Sequence, residues 1–113
     1  MVLLACTVAE GMCDRGGDRK YMYLEIGGYA ETVKHIHEND KRPIKNFVDP
    51  LYMDVLQVKI PFRYNRIMCP MTGNKTIQEL VPGDRVTVEL KYCGWWESDG
   101  FGGPSWKILS CQA

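Results

Sequence analysis

The sequence predicts an all-β fold: one small barrel of five short strands with one short helix. Three segments alternate between apolar and polar residues with a period of two, which is typical of half-buried strands. Turn-forming residues, mainly glycine, proline and aspartate, separate these segments. Helix signals are too weak for a sheet of βαβ units, and no internal repeat is present.

Length and charge limit the classes of protein that remain. The 113 residues fit a single domain, residues 1–113, and 45% hydrophobic residues are enough for a packed core. Fourteen basic and fourteen acidic residues give a net charge of zero. This balance argues against a protein that depends on bulk electrostatics, such as a histone-like DNA coat, but it allows a local basic groove.

Two strands are predicted near the start of the chain. The first is the apolar segment Val2–Ala9, and Glu10–Lys20 then forms a flexible, charged loop. The second strand, Tyr21–Ile26, alternates clearly. Its core side carries Met22, Leu24 and Ile26, and its other side carries Tyr21, Tyr23 and Glu25.

The segment that follows separates strands two and three. Tyr29–Asn39 is ambiguous, because its apolar spacing suits one helical face while its β-branched residues suit a strand. Asn39–Pro50 is polar, contains two prolines and is predicted to be a loop. Residues 29–52 are therefore predicted to be an insertion or a lid.

The third strand is predicted at Met53–Tyr64. One face of this segment carries Leu56, Val58, Ile60 and Phe62, and the other carries Val55, Gln57, Lys59 and Arg63. Pro61 has no backbone donor, so this end of the strand is predicted to be a sheet edge.

The remaining chain completes the barrel. Thr76–Leu80 suits one or two helical turns, and Arg85–Tyr92 alternates as a fourth strand. Cys93–Pro104 holds four glycines and three aromatic residues and is predicted to be a long loop, followed by a last strand at Ser105–Cys111. An OB barrel carries its helix between strands three and four, as predicted here.

One motif resembles a known family. The segment Leu80-Val81-Pro82-Gly83-Asp84-Arg85-Val86-Thr87-Val88-Glu89-Leu90 resembles the entry to strand four in many OB-fold proteins. Small single-stranded-DNA-binding proteins of phages and bacteria share this layout. The resemblance implies a five-stranded OB-type β-barrel with an insertion between strands 2 and 3. It also implies binding of single strands on the face of strands two and three, beside the loops that connect strands one to two and four to five.

Aromatic and basic side chains converge on the places that the resemblance indicates. Aromatic rings stack on any base, and lysine and arginine neutralise phosphates, so this combination predicts sequence-tolerant binding of single-stranded DNA or RNA, DNA first. Arg15 belongs to the same first loop. The predicted nucleic-acid-binding residues are Tyr21, Tyr23, Gln57, Lys59, Arg63, Arg19, Lys20, Trp95, Trp96 and Phe101.

Other interpretations of these residues remain open. Tyr21 and Tyr23 could pack under the insertion, and the adjacent Trp95 and Trp96 are expected to face opposite ways, one packed and one free. The alternative function is a protein–protein interaction module acting through the Trp95–Phe101 loop, such as a phage-encoded inhibitor of a host enzyme. The edge at strand three could also pair with a second copy in a homodimer.

No catalytic, metal or cofactor chemistry is predicted. The sequence has no nucleophile motif, phosphate loop or paired carboxylates, so an enzyme is the least favoured class. His35 and His37 would face the same side if extended and could share a metal with Cys6 or Cys13, but the cysteine spacing fits no zinc motif, so metal binding is not expected.

The cysteines and the hydropathy pattern predict a cytoplasmic protein. Five cysteines, an odd number without C-x-x-C spacing, indicate reduced thiols in a reducing compartment. No run approaches the roughly 20 apolar residues that span a bilayer, so no membrane partner is expected. Single-stranded DNA binding in this setting would suit a role in DNA replication.

Overall fold

The computed structural model describes all 113 residues, and most of them lie in strands. One α-helix and a single 3-10 turn at Ile77–Glu79 accompany the strands. In chain order the other elements are β1 (Val2–Asp14), β2 (Lys20–Glu25), α1 (Tyr29–Asn39), β3 (Asn46–Phe47), β4 (Leu51–Tyr52), β5 (Val55–Lys59), β6 (Phe62–Arg63), β7 (Arg66–Ile67), β8 (Met71–Thr72), β9 (Arg85–Ser98) and β10 (Phe101–Gln112).

Five long strands close into a barrel. They follow the order β10–β9–β1–β2–β5, and a parallel contact between Lys107 and Lys59 joins β10 to β5 and closes the ring. All other neighbouring pairs of the barrel are antiparallel. The predicted all-β fold, a closed five-stranded barrel with a short helix, is confirmed, and residues 29–52 are inserted between its second and third strands, β2 and β5.

The core follows the predicted alternation. Strands β2 and β5, with the residue after β5, bury Met22, Leu24, Leu56, Val58 and Ile60 almost completely, and intervening residues face outward. Strands β9 and β10 complete the interior with Val88, Leu90, Trp106 and Ile108. Burial of these side chains is the main source of stability, at roughly 1.5–3 kcal/mol for each large apolar residue.

The structure decides two helical segments that the sequence indicated only loosely. The ambiguous segment is an α-helix, α1, which buries Ala30, Val33 and His37 on one face. The one or two helical turns predicted at Thr76–Leu80 are present as the single 3-10 turn. A capping box stabilises this turn, because Glu79 accepts hydrogen bonds from the Thr76 backbone N–H and hydroxyl. Neither the short α1 nor the 3-10 turn has the length and apolar character needed to span a membrane.

The predicted third strand is too long. The strand β5 ends at Lys59, and after Pro61 the chain turns away into the separate β6–β7 hairpin, so Phe62 and Arg63 do not continue the alternation. The predicted free edge is also absent, since β5 pairs with β2 on one side and with β4 and β10 on the other. The homodimer that was predicted to form through this edge stays a prediction, but the structure shows no free edge at β5 to support it.

The predicted Cys93–Pro104 loop is wrong, because this segment forms the two strands of a hairpin. The end of β9 pairs with the start of β10, from Trp95 opposite Pro104 to Ser98 opposite Phe101. Asp99 and Gly100 form the turn with φ values of 52° and 81°, the left-handed pair that a type I′ turn needs. We call the projecting part of this hairpin, residues 93–104, the arm.

The insertion is fixed to the barrel and to the arm. The Tyr92 hydroxyl donates a 2.7 Å hydrogen bond to Asp40 at the end of α1. Strand β3 adds in parallel to β10, with Phe101 opposite Asn46 and Gly102 opposite Phe47. Residues 29–52 therefore form a packed helix and two strand additions rather than a detached lid.

All five cysteines are free thiols, and three of them are buried in the core. Burial raises the pKa of Cys6 and of Cys69 to about 12 and that of Cys111 to about 11. These thiols therefore stay protonated and unreactive at neutral pH.

The buried His37 predicts a pH dependence of stability. Burial lowers its pKa, against a smaller opposite effect of Asp49, and its Nε2 accepts a 2.9 Å hydrogen bond from the Trp106 indole N–H. Neutral His37 suits this bond, whereas protonation would place an N–H against another N–H. Free histidine titrates at about pH 6.5, so the unfolded chain takes up a proton first and stability falls as the pH drops below that value toward the lowered native pKa.

Urea unfolding at pH 7.5, 6.5 and 5.5 checks this expectation. The His37→Gln variant should show a flatter profile across this window, while the exposed-histidine control His35→Gln should keep the wild-type slope. A wild-type urea midpoint that is as high at pH 5.5 as at pH 7.5 would contradict this expectation.

Candidate nucleic-acid interface

A groove of about 530 Å³ lies between the outer face of the barrel and the arm. Strands β2 and β5 supply Tyr21, Gln57 and Lys59, and the loop between β1 and β2 supplies Arg15 and Arg19. The arm and the following residues supply the opposite wall, and Val48 of the insertion completes it. This opposite wall consists of Trp96, Ser98, Pro104, Ser105 and Trp106.

Two direct cross-strand pairs form the outer face of β2 and β5, and three of their four residues, Tyr21, Gln57 and Lys59, line the groove. Tyr21 lies opposite Lys59, and Tyr23 lies opposite Gln57, in the antiparallel register of β2 and β5. Since Met22 and Leu24 point into the core, these four side chains share the outer face. The structure therefore brings four of the five residues of the predicted patch together on one outer face, without Arg63.

Arg15 fixes the tyrosines from the loop side. Its Nη2 donates a 2.7 Å hydrogen bond to the Tyr23 hydroxyl, and its guanidinium carbon lies 5.2 Å from the centre of the Tyr21 ring. The loop is tight, because the backbone N–H of Arg15 bonds to the carbonyl of Arg19 and Gly16 adopts a φ of 95°. A guanidinium and a phenol ring are thus held together at the groove entrance.

The groove is basic although the protein is neutral. Its lining contains Arg15, Arg19 and Lys59 and no aspartate or glutamate. None of the three cations belongs to an ion pair with a carboxylate. The zero net charge therefore conceals a local excess of positive charge, which focuses an attractive field on anions in a concave site.

The arm separates the two tryptophans, as expected for neighbours on a strand. Trp95 packs on Phe47 with ring centres 5.6 Å apart, whereas Trp96 is 39% exposed and lines the groove. Phe101, 49% exposed, lies directly opposite Ser98, so it shares the face that carries Trp96. The arm thus offers two open aromatic rings on the side of the groove.

Five of the ten predicted residues do not line the groove. Tyr23 bonds to Arg15 beside the groove and Phe101 lies on the arm, while the other three lie elsewhere. Lys20 is buried, pairs with Asp14 at 2.9 Å and places its ammonium 4.3 Å from the Phe62 ring centre, away from the groove. Lys20 is two residues before Met22 and four before Leu24, so the alternation of the strand already indicated this inward position. Arg63 lies in the separate β6–β7 hairpin, and the ring of Trp95 packs against Phe47.

Some lining residues were not anticipated. Ser98 and Ser105 reach the groove because the arm is a regular hairpin, and Val48 reaches it because β3 docks on β10. The Asp99-Gly100 pair was the available signal for the hairpin. No local pattern indicated the docking of Val48, which depends on contacts distant in sequence.

A second cavity, of about 580 Å³, lies under the β6–β7 hairpin and differs in character. Its lining includes Phe62, Ile67 and Ile77, and its charges include the Asp14–Lys20 pair, in which the opposite charges compensate each other. Although this cavity is slightly larger and also contains Arg66, its lining includes the carboxylate of Asp14, whereas the groove lining contains no carboxylate.

The two histidines do not form a metal site. On the α1 helix, His35 faces solvent and His37 is buried against Trp106. No cluster of three or more metal-ligating side chains occurs in the structure. The arrangement of His37 is that of a core hydrogen-bond acceptor.

Comparisons with known proteins add no information about the function of this groove. Searches against known protein families, curated proteins and solved structures gave no match. The resemblance to small single-stranded-DNA-binding proteins therefore stays a prediction.

Proposed function

We propose that the protein binds single-stranded nucleic acid, DNA in the first place, in this groove and without catalysis. The observation that carries the proposal is one concave site that combines three cations without a carboxylate partner, no lining carboxylate, the half-buried ring of Tyr21 and the exposed ring of Trp96. Arg15, Arg19 and Lys59 supply charge for phosphates, and Tyr21 and Trp96 supply surfaces for bases. Cytoplasmic DNA, as in replication, is the setting that fits a chain whose five thiols are free.

A single strand fits this chemistry better than a duplex. Stacking on protein rings requires a base face that is not already covered by neighbouring base pairs. Each base stacked on an aromatic ring contributes roughly 1–3 kcal/mol, with little dependence on sequence. The cations add an electrostatic contribution that weakens as salt rises, because bound counterions are released from the strand.

Fluorescence titration with a poly-dT oligomer tests the proposal, with the exposed Trp96 as the intrinsic reporter. Binding is expected at micromolar protein in low salt and should weaken at moderate salt. A matched rU oligomer compares RNA with DNA, since only RNA offers a 2′-hydroxyl. Absence of binding to either oligomer at micromolar protein in low salt would refute the proposed function.

The Tyr21→Ala variant is expected to weaken dT binding by about 5–150-fold, which corresponds to one lost stacking partner of roughly 1–3 kcal/mol. Tyr64→Ala is the matched control, because Tyr64 is 84% exposed in the turn of the β6–β7 hairpin and lies outside the groove. Urea unfolding of both variants separates binding from folding. Equal dT affinity of the Tyr21→Ala and Tyr64→Ala proteins would show that Tyr21 does not contact the bound oligomer.

A second candidate function is protein binding through the arm. Its supporting observation is that Trp96 and Phe101 expose large aromatic surface on one face of a projecting hairpin, as interface hot spots do. Trp95 is excluded from such a surface by its contact with Phe47. Phe101→Ala distinguishes the two functions, because it lies beyond the groove lining and should disturb a protein interface more than oligomer binding.

A further inference from the structure

Three lysines stand side by side on three neighbouring strands. Lys107 of β10 lies opposite Lys59 of β5 in the parallel register and opposite Lys91 of β9 in the antiparallel register. The row continues to Tyr21, which lies opposite Lys59 on β2. We call Lys59, Lys107 and Lys91 the lysine row.

The lysine row faces outward and is unpaired. The neighbours Leu90 and Ile108 are fully buried, so Lys91 and Lys107 point away from the core. None of the ion pairs in the structure includes a lysine of the row. Glu89 is the next outward residue of β9, but it lies opposite Leu3 and Ser110 and makes no ion pair with Lys91.

Such a row costs stability in the free protein. Like charges directly opposite each other in a sheet repel, and the strands are only about 4.8 Å apart. The row contains two such contacts, Lys59 with Lys107 and Lys107 with Lys91. A polyanion laid across the strands would relieve both contacts at once, whereas a single carboxylate would neutralise only one lysine.

We propose that the lysine row is the track along which the phosphodiester backbone leaves the groove. Lys59 belongs to both the groove and the row, so a strand that stacks on Tyr21 passes onto Lys107 and then Lys91 without a gap. Three interstrand steps give the path from Tyr21 to Lys91 a length of about 14 Å. This inference rests on the proposed function and extends the site from the groove across β10 and β9.

Binding of two oligomers by three variants tests the track. The oligomers are a dT dinucleotide, which at about 3.4 Å per nucleotide is too short to extend from Tyr21 to Lys107, and a dT chain of about 16 nucleotides, the upper site size of a single OB fold. The variants are Lys107→Gln, Lys91→Gln and the control Lys34→Gln, which removes the same charge from α1, where Lys34 is exposed and pairs with Glu31.

Lys107→Gln is expected to weaken binding of the long oligomer by about 5–10-fold in low salt and to reduce its salt slope by about 0.7, the value of one released counterion on a single strand. The short oligomer should bind equally to Lys107→Gln and wild type. Lys91→Gln should act in the same direction, and Lys34→Gln should change neither oligomer. The urea midpoint of Lys107→Gln should also rise, because two repulsive contacts are removed.

The outcomes separate the track from the groove. Wild-type protein that binds neither oligomer would overturn the proposed function and the track together. Wild-type protein that binds both, with the long oligomer unaffected by Lys107→Gln, would overturn the track alone. Equal loss of both oligomers in Lys107→Gln would also overturn it, because Lys107 would then act within the groove.

Discussion

Replacing Trp106 with alanine is expected to lower the free energy of unfolding by about 3–5 kcal/mol, the range for large-to-small changes in a packed core. Trp106 is 3% exposed, its ring lies 5.2 Å from that of Tyr92, and its indole N–H bonds to His37. The substitution opens a cavity and leaves the Nε2 of a buried histidine without a partner. A small domain has only about 5–15 kcal/mol to lose.

Trp96→Ala is the matched control, since Trp96 lies on the same hairpin but is 39% exposed. It should change the unfolding free energy by less than about 1 kcal/mol while weakening dT binding. Trp106→Phe should fall between the two, because much of the aromatic volume is kept while the hydrogen bond is lost. Urea denaturation followed by circular dichroism measures all three, and equal destabilisation by Trp96→Ala and Trp106→Ala would contradict the assignment of Trp106 to the core.

Gly103→Ala is expected to cost about 2–3 kcal/mol and to weaken dT binding as well. An added Cβ at Gly103 would overlap the carbonyl oxygen of Val48, a backbone atom of a segment that is hydrogen-bonded to the arm. The insertion would have to shift away from the arm and weaken the 2.8 Å hydrogen bond from the Val48 N–H to the Gly102 carbonyl. Since Val48 lines the groove, its displacement would change the shape of the site.

Gly28→Ala provides the control for this prediction. Gly28 has a φ of −61° at the start of α1, and a methyl group added there would meet no atom within 4 Å. This substitution should be neutral or stabilise by up to about 1 kcal/mol, because alanine restricts the unfolded chain. Thermal unfolding and dT titration measure both variants, and a Gly103→Ala protein with wild-type stability would show that the insertion is not packed against the arm.

The barrel and the outer face of β2 and β5 could be predicted because they depend on local alternation. Tyr21 and Tyr23 alternate with Met22 and Leu24, and this period of two decides which side chains face outward without knowledge of any partner strand. The same rule, applied one residue further, would have placed Lys20 inside. Inclusion of Lys20 in the predicted site thus came from its charge and not from its position.

The arm could not be predicted with the same rules. Four glycines and Pro104 in twelve residues are typical of a loop, and they outweighed the Asp99-Gly100 turn signal. In the structure Gly102 and Gly103 are instead required by the close approach of Trp96 and Val48 backbone atoms. For Gly103, the reason for being glycine is a contact with a distant segment, which no local window contains.

The groove's remaining wall and the lysine row are products of tertiary pairing. Lys59 and Lys107 are far apart in sequence, and only closure of the barrel brings them together. Arg63, which continues the alternation of Lys59 in sequence, is removed from the site by the turn after Pro61. Sequence patterns therefore identify candidate cations on each strand but not which of them meet.

The pairing of β1 also determines when the chain is most exposed during its synthesis. Strand β1 meets β2 soon after both leave the ribosome, but its other edge waits for β9, where Val2 lies opposite Leu90. About 60 residues separate β2 from the start of β9, which corresponds to roughly 3–12 s of translation. During that time the apolar side chains Leu4, Cys6 and Val8 border an unpaired strand edge, which is an aggregation hazard. Slowed translation of the second half of the chain should therefore lower the yield of folded protein.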